Sequence, residues 1–178
     1  MMPPSDKNTV DGDVKTQIKA ALMNPNLSEE GFETSKVIAL IAILLENPVE
    51  SRPGADASTP SKKKLVKMMK TCYQFVVKNK DGKEALWFID MKRRGSIGKG
   101  KAPFKPDVTI WCSDSDLVAL ASGEANPQKL YAAARIKIKG NIDKALKVER
   151  ILSHQREKIL RVGKVRKFNV LHILPLAI

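Results

Sequence analysis

One glycine- and lysine-rich segment of this 178-residue sequence comes close to a phosphate-binding loop. Such a loop has two glycines separated by four residues, then lysine, then serine or threonine. Gly95, Gly100 and Lys101 fit this pattern, but Ala102 stands where the magnesium-binding hydroxyl is required. Pro103 then opposes the long helix whose N-terminus would receive the phosphates. We therefore predict a short twisted strand and a turn here, with lysines free to meet anions.

The residue types that carry most enzymatic chemistry do not form a recognisable site. His154 and His172 are the two histidines, and neither the H-E-x-x-H nor the G-x-S-x-G pattern occurs. Cys72 and Cys112 each lie in a predicted strand, and no secretory signal precedes them, so we interpret them as reduced, buried thiols. We expect a protein that is not an enzyme, with no catalytic residues, no metal and no cofactor.

The elements around the glycine-lysine segment are predicted to be strands of one sheet. Apolar residues alternate with other residues on both sides of a turn at Asp81 and Gly82, which is typical of a half-buried antiparallel hairpin. Two later segments alternate in the same way. The residues expected on the shared apolar face are Tyr73, Phe75, Val77, Trp87, Ile89, Met91, Val108, Ile110, Cys112, Ile136 and Ile138.

Helices are predicted to cover that face, because capping residues precede apolar stretches. Ser113, Asn126 and Asn141 are each expected to cap the N-terminus of a short helix. A longer helix is expected to begin at Thr34. Its uninterrupted apolar run is about nine residues, well below the roughly 20 that span a bilayer, so we predict a core helix.

Several short motifs follow one another in an order and spacing that resemble the sterol carrier protein type two domain family. The resemblance covers about residues 31–152. The motifs are Lys83-Glu84-Ala85, Trp87 with Ile89 and Asp90, Gly95-Ser96, Lys105 to Ile110, Ser115-Asp116, Ala119-Leu120, Ser122-Gly123, Asn126 to Gln128, and Ile136 to Asn141.

The resemblance implies an α+β fold in which helices lie over one face of a five-stranded, mostly antiparallel sheet and enclose an apolar tunnel. It implies non-catalytic intracellular binding and transfer of sterols, phospholipids, fatty acids or fatty acyl-CoA. Lys99 and Lys101 are expected to contact head groups or membrane. The residues expected to bind lipid are Trp87, Ile89, Ile110, Leu117, Leu120, Leu130, Tyr131, Ile136, Ile138, Ile142 and Leu146.

The residues alone leave open whether the tunnel is open, because a one-sided apolar sheet can also pack shut against its helices. Relatives carry bulkier residues where this sequence has three alanines, Ala132 to Ala134. Smaller side chains there either enlarge the cavity or allow the helices to collapse inward. A structural or interaction domain with a collapsed cavity is therefore an alternative function.

We divide the chain into a flexible N-terminal arm (1–30), the domain that resembles the family (31–153, with a long loop at 47–61), and an atypical C-terminal tail (154–178). The outward face of the sheet is expected to carry Leu86, Phe88 and Trp111. Our hypothesis is that residues 168–176 or another subunit cover this patch. We expect a monomer or a weak dimer.

Charge is divided unevenly along the chain. Residues 1–61 carry a net charge of −4 and residues 62–178 carry +17. This favours an anionic partner, such as a transiently bound anionic membrane surface, and a lysine-flanked apolar stripe between residues 62 and 70 fits that surface. A simply solvated lysine-rich surface, or a lead-in that packs Leu65, Met68 and Met69 inward, explains the same residues.

A basic nucleic-acid-binding module is a further alternative function, since the sequence pI is near 9.8. Aromatic residues make up only 5% of the chain, too few to suggest a base-stacking platform. We therefore do not expect nucleic acid as a partner.

The resemblance also implies a compartment. Members of the family often end in a Ser-Lys-Leu type peroxisomal address, whereas this sequence ends in Pro175-Leu176-Ala177-Ile178. Peroxisome is the localisation by resemblance, and cytoplasm is the alternative.

Overall fold

The computed structural model describes residue 16, residues 19–46 and residues 61–148. The predicted tail at 154–178, its fold-back over the sheet, both histidines and nearly all of the predicted 47–61 loop lie outside the described residues. The elements within the described part are α1 (Thr34–Glu46), α2 (Lys62–Met69), β1 (Cys72–Lys78), β2 (Glu84–Asp90), β3 (Ser96–Lys99), β4 (Val108–Ser113), α3 (Asp114–Ser122), α4 (Pro127–Ala132), β5 (Lys137–Gly140) and α5 (Ile142–Leu146).

The five strands form one sheet in the order β3-β2-β1-β4-β5. Three of the neighbouring pairs are antiparallel, and β1 and β4 are parallel. The expectation of an α+β fold with a five-stranded, mostly antiparallel sheet is confirmed, and the sheet is mixed rather than purely antiparallel. The parallel pair follows from the long connection through β2 and β3, which brings β4 back beside β1 in the same direction.

The predicted alternation decides which face of the sheet is covered. Tyr73 lies opposite Ile89, and Phe75 lies between Trp87 and Ile110 in the strand register. All of these side chains are buried. Helix α1 crosses this face in contact with β3 and α3, and α5 contacts β4 and β5. The core therefore lies between one face of the sheet and the helices.

Each predicted cap is present with the expected chemistry. The hydroxyl of Ser113 accepts a hydrogen bond from the amide of Asp116 at 3.1 Å. The side-chain oxygen of Asn126 accepts from the amides of Gln128 and Lys129, and that of Asn141 accepts from Lys144. Because these bonds satisfy amides that have no partner inside the helix, they fix where the short helices begin.

The lysine-rich helix α2 packs inward through part of its predicted stripe. Leu65 and Met69 are buried, whereas Met68 is 54% exposed. Gly95 lies directly under α2 with φ +68°, and a Cβ there would stand 2.8 Å from Cε of Lys62. The glycine-lysine segment therefore contributes the predicted short strand, β3, and a close contact between helix and turn. Among the described helices, none combines the length and apolar character that a membrane-spanning segment requires.

Candidate functional site

The residues predicted to line an apolar tunnel fall into three groups by burial. Two of them are half-buried, Ile138 on β5 and Leu146 on α5. Two are exposed, Tyr131 at 39% and Ile142 at 41%. The buried group consists of Trp87, Ile89, Ile110, Leu117, Leu120, Leu130 and Ile136.

The burial of these predicted tunnel residues decreases toward one edge of the sheet. The buried members lie on the central strands, on α3, on the inner side of α4 and just before β5, while the half-buried and exposed members lie on α4, β5 and α5. Strand β5 pairs only with β4 among the described strands, and α4 and α5 precede and follow it. The apolar cover is thus thinnest around β5, at one edge of the sheet.

The three consecutive alanines before β5 do not face the core. Ala132, Ala133 and Ala134 are all exposed at the end of α4 and in the turn before β5. Their small size neither enlarges the interior nor lets the helices collapse, so both expectations about them are wrong for the same reason.

Trp87 is held by a part of the chain that sequence analysis had placed largely in a flexible arm. Its indole nitrogen donates a hydrogen bond to the carbonyl of Leu27 at 2.8 Å. The ring of Phe32 meets it edge-on, with 5.4 Å between ring centroids. Leu27 and Phe32 are themselves buried. Only their isolated apolar character in a polar stretch could have indicated this contact from sequence.

Residues 24–35 form a strap that is fastened to three elements. The amide of Lys99 on β3 donates to the carbonyl of Asn26. The side chain of Asn79, in the β1–β2 turn, donates to the carbonyl of Gly31 at 3.2 Å. The carboxylate of Asp114 accepts from the backbone amides at the start of α1. Residues 24–30 are thus attached to the sheet, while the arm as a whole stays a prediction because most of residues 1–18 lie outside the described residues.

Lys99 and Lys101 differ in their surroundings, although only Gly100 separates them. Lys99 lies opposite Trp87 in the β2–β3 register, on the helix-covered face. The residues beside Lys101 bond to Gln74 instead, because the Gln74 side chain donates to the Gly100 carbonyl and accepts from the Ala102 amide. Gln74 alternates with buried inner residues and so faces the other side. Gly100, with φ +99°, turns the chain between the two lysines.

Glu29 of the strap forms two ion pairs at the edge of the apolar face. Its carboxylate oxygens lie 2.7 Å from Nζ of Lys83 and 2.9 Å from Nζ of Lys99. Hydrogen bonds from Lys83 and then Lys99 lower the pKa of Glu29 from 4.5 to about 2. The carboxylate is therefore fully ionised at neutral pH. Sequence analysis missed this cluster because its members are 54 and 70 positions apart.

Several polar groups near the core have structural partners. The hydroxyl of Tyr73 donates to the Lys144 carbonyl at 2.8 Å, and the carboxylate of Asp90 accepts two backbone amides of the following turn. Burial raises the pKa of Cys72 to about 11 and that of Cys112 to about 12. Both thiols are thus neutral and unreactive at physiological pH. Within residues 19–46 and 61–148, no group of three or more potential ligands could hold a metal ion.

A basic face, formed by residues 62–70, 91–95 and 101–105, lies at the α2 end of the domain. These segments contain ten lysines and arginines and no acidic residue. Gly95 joins the turn to α2, and the Arg93 guanidinium lies 4.2 Å from the ring centroid of Phe104, which joins the turn to the third segment. Lys92 is paired with Asp107 at 2.8 Å. Exposed Met68 lies among the lysines of α2.

Comparison with known proteins agrees with this architecture. The profile of the SCP-2 sterol transfer family matches residues 54–153. A fatty acid-binding protein of Yarrowia lipolytica is 30% identical over 136 residues, which is 75% of this chain and 99% of the relative. The oleate-induced peroxisomal protein POX18 of Candida maltosa is 40% identical over 88 residues, which is 48% of this chain and 68% of the relative.

A solved structure extends the likeness to three dimensions. Sterol Carrier Protein 2 from Yarrowia lipolytica, in its apo form, superimposes with a TM-score of 0.63 at 33% sequence identity, covering 72% of this chain and 96% of that one. The sequence profile and the structural neighbour therefore agree, and the chain belongs to the SCP-2 sterol transfer family.

Proposed function

We propose that the protein is a non-catalytic carrier of single long-chain lipids. The observation that carries the proposal is the continuous apolar face of the sheet, which helices cover and whose apolar residues become less buried toward β5. Membership of a sterol transfer family supports it. Fatty acids are the first ligand class to consider, because the relative from Yarrowia lipolytica is named a fatty acid-binding protein. Sterols, phospholipids and fatty acyl-CoA follow from the family resemblance.

The ligand's hydrocarbon part supplies the affinity in this proposal. Transfer of an alkyl chain from water to an apolar site contributes about 0.8 kcal/mol per methylene, less the cost of ordering the ligand and nearby side chains. Leu120, Ile110 and Ile138 present aliphatic surface for this purpose. No covalent step is required, and the neutral, buried thiols of Cys72 and Cys112 provide no nucleophile.

The ligand enters, in our proposal, at the thin cover around β5. Tyr131 and Ile142 are exposed apolar groups on the helices that precede and follow this strand, and half-buried Ile138 and Leu146 lead from them toward the core. A lipid sliding between α4 and α5 would replace water at all four side chains before it reached the buried residues.

Native mass spectrometry of the purified full chain tests the carrier function directly. We expect bound lipid in the protein as isolated, and saturable uptake of about one fatty acid per chain after delipidation. A protein that carries no lipid and takes up none would contradict the proposal. Dimerisation without uptake would then favour the interaction domain, and salt-dependent binding of oligonucleotides without uptake would favour the nucleic-acid-binding module.

The basic face is proposed to dock the carrier transiently on an anionic membrane. Each lysine near such a surface contributes about 1 kcal/mol, and Met68 adds apolar contact. Replacing Lys63, Lys64 and Lys67 with glutamine is therefore expected to weaken binding to phosphatidylserine-containing vesicles roughly 100-fold, measured by co-sedimentation at low salt.

A matched control removes the same charge elsewhere. Lys129, Lys137 and Lys139 lie on α4 and β5, outside the basic face, and their replacement with glutamine should have a much smaller effect. Equal losses in the two triple variants would mean that net charge alone attracts the protein, and the docking surface would then be wrong.

The compartment proposed is the peroxisome, because the Candida maltosa relative is named a peroxisomal protein. Co-localisation of a fluorescent fusion with a peroxisomal marker tests this placement. A diffuse cytoplasmic signal would support the alternative.

A further inference from the structure

Lys83, Lys99 and Glu29 form an unusual arrangement in which two lysines share one carboxylate. Nζ of Lys83 lies 2.7 Å from Oε1 of Glu29, and Nζ of Lys99 lies 2.9 Å from Oε2. The other ion pairs among the described residues join a single lysine or arginine to a single acid. Two ammonium groups and one carboxylate give the cluster a net positive charge. Ammonium groups placed to bond the two oxygens of one carboxylate can bond those of another.

The cluster lies at the rim of the apolar face. Lys99 is 31% exposed and shares the helix-covered face with Trp87, its partner across the strands. Trp87 is fully buried and contacts the ring of Phe32. A hydrocarbon chain lying on this face would thus have two ammonium groups within reach of one end.

Glu29 can release the lysines without releasing the strap. Its backbone is held independently, because its amide donates to the Ser35 hydroxyl at 2.8 Å and its carbonyl accepts from the same hydroxyl at 2.9 Å. The neighbouring strap contacts at Asn26 and Gly31 also use backbone atoms. Only the Glu29 side chain needs to move for another carboxylate to take its place.

We propose that Lys83 and Lys99 bind the carboxylate of a fatty acid, and that Glu29 occupies their site when no ligand is present. This rests on the proposed carrier function and specifies its ligand class. The exchange replaces one carboxylate by another, so the charge of the cluster is unchanged. Because it takes place on already positioned ammonium groups, a fatty acid gains a contact that a fatty alcohol or a sterol does not.

The test compares a fluorescent fatty acid, cis-parinaric acid, with its alcohol on the delipidated full chain. Glu29→Gln removes the internal competitor and should raise affinity for the acid about fivefold while leaving affinity for the alcohol unchanged. A single lysine change in the wild type weakens the binding of the fatty acid carboxylate and also that of the competing Glu29 carboxylate. These two effects on the measured affinity partly cancel. Lys83→Gln and Lys99→Gln are therefore introduced together into the Glu29→Gln protein, where acid affinity should fall at least about tenfold.

A matched ion pair serves as the control. Nζ of Lys78 lies 3.8 Å from Oε1 of Glu84, and both side chains are more than half exposed. Their glutamine variants should leave the acid-to-alcohol ratio unchanged. A constant ratio across the Glu29, Lys83 and Lys99 variants, or an equal change in the Lys78 and Glu84 variants, would overturn the carboxylate site while the carrier function stood. Failure of both probes to bind the wild-type protein would overturn the carrier function and this site together.

Discussion

Replacing Gly140 with alanine is expected to lower the free energy of unfolding by about 3 kcal/mol or more. Gly140 ends β5 with φ +112°, a backbone conformation that side chains oppose. An added Cβ would also stand 2.2 Å from the carbonyl oxygen of Asp107. That oxygen belongs to the backbone leading into β4, so relief requires β4 and β5 to move apart. Denaturant unfolding should show a lower midpoint with an unchanged slope.

Gly100→Ala separates the clash from the strain. Gly100 has a similar φ of +99°, and a Cβ there would meet nothing within 4 Å. Its replacement should cost only about 1–2 kcal/mol for the unfavourable backbone conformation. Equal losses at Gly100 and Gly140 would show that the close approach to Asp107 contributes nothing. From the sequence, Gly140 is recognisable only as part of a family motif. In the structure, its positive φ and its close approach to Asp107 explain why glycine is required there.

Local patterns predicted most of the elements, because their causes are local. Ser113, Asn126 and Asn141 cap helices through amides two or three residues away. Alternation of apolar residues in β2 predicted that Trp87 and Ile89 lie on the buried face, because successive side chains of a strand point to opposite faces. Predictions of this kind require nothing from the rest of the chain.

The candidate site was less predictable because it depends on pairings across long separations. Glu29 meets Lys99, and Leu27 meets the Trp87 indole, only after the strap has crossed the folded sheet. Lys99 and Lys101 are two positions apart, and an uninterrupted strand would place them on the same face. Gly100, with φ +99°, ends the strand between them, so the two lysines do not share one regular strand and their contact with head groups stays a prediction.

Ile138→Trp is expected to reduce fatty acid uptake at least about tenfold while leaving the protein folded. Ile138 lies opposite buried Ile110 in the β4–β5 register and is itself half-buried. A larger side chain at this position projects into the space between β5 and the helices, where the proposed entrance leads inward. Leu120→Trp would also narrow the interior, but Leu120 is fully packed, and overpacking costs about 1–3 kcal/mol. Titration of a fluorescent fatty acid measures the loss.

Lys139→Trp adds an indole to the neighbouring position on the other face of the same strand. Lys139 is exposed and lies opposite Thr109, so this variant should take up fatty acid as the wild type does. Full uptake by folded Ile138→Trp would place the ligand away from β5, and loss of uptake in both variants would implicate the strand's stability rather than the space beside it. A selective loss at Ile138 has one physical explanation, because the two changes add the same group to the same strand and differ only in the face they occupy. The ligand then lies on the helix-covered side of the sheet.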